Sequence, residues 1–74
     1  MENIMTTLEK TLNRKMYLAE GADDYGMVQT YFHQAFGATE FAMAMANDWE
    51  QEAIIVEKWN NNWRPAFEKI MMEV

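Results

Sequence analysis

From Met5 onward the large apolar side chains recur at steps of three and four, the spacing of one face of an α-helix, and this restricts the chain to helical folds. Met5, Leu8, Leu12, Met16 and Ala19 form the first such face. Thr6 with Glu9 reads as a capping box at its start, though a start one turn earlier fits as well. Gly21 reads as its stop, in the left-handed conformation that glycine adopts without steric cost. A second helix is expected over roughly 24–36, capped by Asp23 or Asp24. Its face is Val28, Tyr31, Phe32, Ala35 and Phe36, Gly26 weakens its first turn, and Gly37 is expected to end it. Thr39 then reads as the next cap. From there Ala42, Met45, Trp49, Ala53, Val56, Trp59 and Trp63 keep helical spacing. Asn47 with Glu50, or Asp48 with Gln51, is a second capping signal inside that run, so 40–60 is one helix or two. Pro65 suits the first turn of a last helix over roughly 65–73, with Arg64 at a boundary and Phe67, Ile70, Met71 and Val74 as its face. The expected fold is all-α: a small bundle of four helices, or five, joined by short loops.

At 74 residues the chain is one domain, 1–74, with a core of marginal size. It contains no cysteine, which excludes disulfides and thiolate metal sites and suits a reducing, cytoplasmic setting. The start, MENIMTTLEK, does not have the form of a secretory signal. The longest apolar run, Phe41–Ala46, is far short of the roughly 20 residues that cross a bilayer. Leu, Ile, Val and Phe are scarce and the net charge is −6, a combination that elsewhere marks disorder. Eight Met, three Trp and three Tyr at helical spacing supply the missing apolar bulk, so a folded chain with a Met- and aromatic-rich core is expected.

Charge is unevenly placed. Between Met16 and Glu57 there is no Lys or Arg, while Glu20, Asp23, Asp24, Glu40, Asp48, Glu50, Glu52 and Glu57 all fall there. Such a field disfavours direct nucleic-acid or anionic-membrane binding and favours basic partners. Lys10, Arg14 and Lys15 make only a small basic cluster, which a solvated helix face explains.

The parts for catalysis are missing. The chain has no serine and no cysteine, so Ser–His and Cys–His nucleophilic chemistry is excluded. The single histidine, His33, falls one residue off its helix's apolar stripe and reads as a partly exposed structural residue. One histidine without cysteine does not make a zinc site, and Asp23–Asp24 followed by Tyr25–Gly26 does not make a calcium loop. No enzyme, metal or cofactor is expected.

Two interaction surfaces remain. The first is apolar: Trp59, Trp63, Arg64, Phe67 and Met71, residue types enriched in protein interfaces, offered to another protein or a second copy. The same WNNNW stretch reads equally as a joint between helices, with its asparagines ending one and Pro65 starting the next. The second surface is acidic. Asp48, Glu50, Glu52 and Glu57 fall within the stretch that lacks Lys and Arg and would suit a nucleic-acid mimic that blocks a basic binding protein.

Overall fold

The computed structural model describes residues 4–74. Helix α1 spans Ile4–Glu20 and buries Leu8, Leu12 and Ala19, with Met5 and Met16 half-buried beside them, which is the face its spacing predicts. Thr6 and Glu9 lie inside α1 rather than at its start, and Glu9 instead forms an ion pair with Lys58. Gly21 follows α1 as expected, but with no positive φ.

Helix α2, Tyr25–Ala44, starts where Asp24 caps it, its carboxylate accepting from the Met27 N–H at 2.8 Å. It then runs straight through Gly37, against the expectation of a stop there. Val28, Ala35, Thr39 and Ala42 form one buried stripe across the glycine, so burial outweighs the roughly 1 kcal/mol that a mid-helix glycine costs. Thr39 is therefore no cap. It is buried in mid-helix, where its hydroxyl donates to the Ala35 carbonyl at 2.9 Å. A Cβ at Gly37 meets nothing within 4 Å. Gly37→Ala is accordingly expected to stabilise the fold by about 0.8–1 kcal/mol, read as a higher urea midpoint at unchanged slope.

Of the two readings of 40–60, the one with a break holds. α2 ends at Ala44, and α3, Trp49–Lys58, begins at the cap Asp48, whose carboxylate accepts from the Gln51 N–H at 2.8 Å. The Gln51 side-chain oxygen accepts from the Asn47 N–H in return, a variant of the capping box.

Beyond α3 the expected joint is absent. Residues Trp59–Trp63 form a π-helical turn that passes directly into α4, Arg64–Glu73, and Arg64 itself has helical angles although proline follows it. Within the described residues the chain is thus all-helical, with α1, α2 and one continuous rod from Trp49 to Glu73. A four- or five-helix count does not hold. The π turn has a local cause. Pro65 has no N–H to donate and its ring clashes with a carbonyl four residues back in a regular α ladder. The wider turn relieves that clash, with the Arg64 N–H donating to the Trp59 carbonyl five residues back. It also sets the register. Trp59 and Phe67 are eight residues apart, which in a plain α-helix turns one about 80° away from the other. The π turn absorbs one residue, and both side chains reach the core, at 5% and 0% exposure.

α2 lies centrally, packed against α1, α3 and α4. Leu12, Val28, Ile55 and Phe67 fill the interior. Phe32 ties α2 to the rod, its ring 5.7 Å from that of Trp59 and 5.8 Å, nearly edge-on, from that of Phe67.

Candidate interaction surface

The apolar residues singled out from sequence divide between core and surface. Trp59 and Phe67 are buried and have no face for a partner. Trp63 and Met71 are half-buried against the core, and the Trp63 indole N–H, itself buried, finds no acceptor among the described residues. Arg64 is exposed and lies 3.7 Å from Glu68 one turn on, a surface pair of small energetic weight. The WNNNW stretch is therefore an internal feature of the rod. Met43 is half-buried and Met72 is exposed.

The acidic set is fully exposed but does not form one track. Glu50 and Glu57, seven residues apart, share a side of α3, whereas Glu52 sits about 200° around the helix from Glu50. The Asp48 carboxylate is engaged as the α3 cap.

His33 is exposed and sets its ring edge-on against Phe32, 5.7 Å between centroids. Among the described residues no three His, Asp or Glu side chains come together as a metal-binding group, and no helix is long and apolar enough to cross a membrane.

The apolar surface that is open lies elsewhere. Among the described residues more large apolar side chains are exposed than buried, with Phe41 at 68%, Met45 at 52% and Trp49 at 77%. Phe41 and Met45 stand on the rim of a furrow between α1 and α2. One hollow of about 370 Å³ in this furrow is lined by Ile4, Thr7 and Thr11 of α1, by Ala38 and Phe41 of α2 and by Met45, the residue that caps its end. Leu8 and Ala42 form its floor. A second hollow, about 660 Å³, opens where the two helices join, with Tyr17 and Leu18 facing Met27 and Tyr31, and Glu20, Asp23 and Asp24 at its edge.

Both hollows follow one line. On α2 the lining residues Met27, Tyr31, Ala38, Phe41 and Met45, with Gln34 at the intervening position, fall at alternating steps of four and three. On α1 the lining residues Ile4, Thr7, Thr11 and Leu18, with Arg14 at the intervening position, fall at steps of three and four. On α2 that is heptad spacing, apolar but for Gln34, the pattern of a helix seam that expects another helix against it, whereas on α1 only the end positions Ile4 and Leu18 are apolar. The buried stripe of α2, Val28–Ala35–Ala42, lies beside this line, and its Ala42 lies on the furrow floor.

Compared with known protein families, curated protein sequences and solved structures, the chain matches none.

Proposed function

We propose that this chain is a non-catalytic, acidic helical interaction module that receives a partner's helices in the α1–α2 furrow. The observation that carries the reading is the second heptad line of α2, with Phe41 and Met45 exposed along a hollow whose floor is already apolar. Single exposed apolar residues are ordinary on a small protein, but an aligned, concave set is the form taken by helix-in-groove recognition. Methionine at two of the surface's edges, Met27 and Met45, suits contacts that adapt in shape.

Site-specific photo-crosslinking in the native host tests this. A crosslinker in place of Phe41 is expected to give a discrete protein adduct. One in place of Gln29, exposed off the furrow line of α2, is expected to give none. Absence of any adduct from position 41, or equal adducts from both positions, would overturn the reading.

A further inference from the structure

We infer that the occupant of the furrow is a second copy of this chain, the two α1–α2 hairpins packing face to face as an antiparallel four-helix bundle with the rods outside. The inference rests on the proposed docking role of the furrow and assigns its partner. Three observations point to a copy.

The first is the symmetry of the pattern. An isologous dimer needs a surface that matches itself after a two-fold rotation. Along α2 the line is apolar at both ends and carries its polar residue, Gln34, near the middle. A two-fold axis between Gln34 and Ala38 sets Tyr31 against Phe41 of the second copy, Met27 against its Met45, and Gln34 against its Ala38. On α1 the same axis sets Leu18 against Thr7 of the second copy and Arg14 against its Thr11. Arg14 therefore faces a hydroxyl and not another guanidinium.

The second is charge. The heptad lines hold no carboxylate, so two chains of net charge −6 approach there without placing acid on acid along the seam.

The third is area. A 20-residue helix is about 30 Å long and two helices side by side are about 20 Å wide. The hairpin face thus offers on the order of 600 Å² per copy, at the lower end of what specific interfaces bury.

Sedimentation equilibrium on the intact chain tests the assignment. At about 100 µM, where even a weak interface of this size is occupied, the mass is expected to be twice the 8.7 kDa of the chain. Phe41→Asp is expected to weaken association by at least about thirtyfold, the loss of a central aromatic anchor, with the helical circular dichroism retained because Phe41 is exposed. Trp49→Asp, off the furrow, is expected to leave the dimer intact. Since the chain has no cysteine, an equimolar mixture of Gln34→Cys and Ala38→Cys reads the register, and the mixed disulfide is expected to exceed the two homodisulfides taken together, which random pairing would only equal. A monomer at every concentration, or a dimer indifferent to Phe41→Asp, overturns the second-copy assignment. In either case a position-41 adduct whose added mass belongs to another protein keeps the docking role. No adduct at all removes both.

Discussion

Phe67→Ala is expected to leave most of the chain unfolded at room temperature. Phe67 is fully buried, is the largest side chain with that distinction, and meets Phe32 edge-on, so truncation removes apolar contact from α2 and the rod together. Phe-to-Ala changes in cores cost about 3–5 kcal/mol. A single core of this size rarely supplies more than about that amount. Far-ultraviolet circular dichroism against urea measures it directly. A loss below about 1 kcal/mol means that Phe67 is not buried and that α4 does not pack as described. The same experiment separates the two readings of the WNNNW region, because a residue serving only a partner tolerates truncation without loss of fold.

Deleting Asn61 is expected to cost about 3 kcal/mol, and adding Pro65→Ala to the deletion is expected to recover most of it. The deletion removes one residue from the π turn and restores a plain α ladder, with Trp59 and Phe67 then seven positions apart and still on one face. What it does not tolerate is proline, whose ring then meets the carbonyl four residues back. The rescue by alanine isolates that clash as the cause. A deletion variant as stable as the parent would show that Pro65 does not require the turn, and a double variant no better than the deletion would place the cost in the asparagines.

These two results bear on why the sequence is legible in some places and not in others. The all-helical class, the α1 face and the caps at Asp24 and Asp48 are local features. Each follows from spacing over one or two turns, or from a carboxylate within reach of an N–H three residues on. Gly37 and Thr39 mislead because their local preferences are for an end and a start. The stripe Val28–Ala35–Thr39–Ala42 is long enough to hold the helix through both. Trp49 shows the same limit in reverse. It continues the spacing of Ala42 and Met45 only if 40–60 is one helix, and after the break at 45–48 it stands exposed at the first position of α3. The furrow was hidden by the same error. Once α2 is cut at Gly37, its line from Met27 to Met45 falls into two unrelated pieces and cannot be read as a seam. Proline after three asparagines reads as a joint because a plain α-helix does not accommodate that string, and the alternative is a rare wider turn. The acidic residues illustrate a different gap, since their exposure was legible but their distribution around α3 and the use of Asp48 as a cap were not.

Self-association through the furrow is tested most directly by the chain's own methionines. Mild peroxide oxidation followed by peptide mass spectrometry reports the accessibility of each thioether sulfur. The comparison runs between about 100 µM protein, where association is expected, and a thousandfold dilution. Met27 and Met45, on the furrow line, are expected to oxidise several-fold more slowly in the concentrated sample, while Met72, at 86% exposure on the rod, oxidises at one rate in both. Unchanged rates at Met27 and Met45 in a sample shown to be associated, or protection at Met72 in their place, would contradict the account.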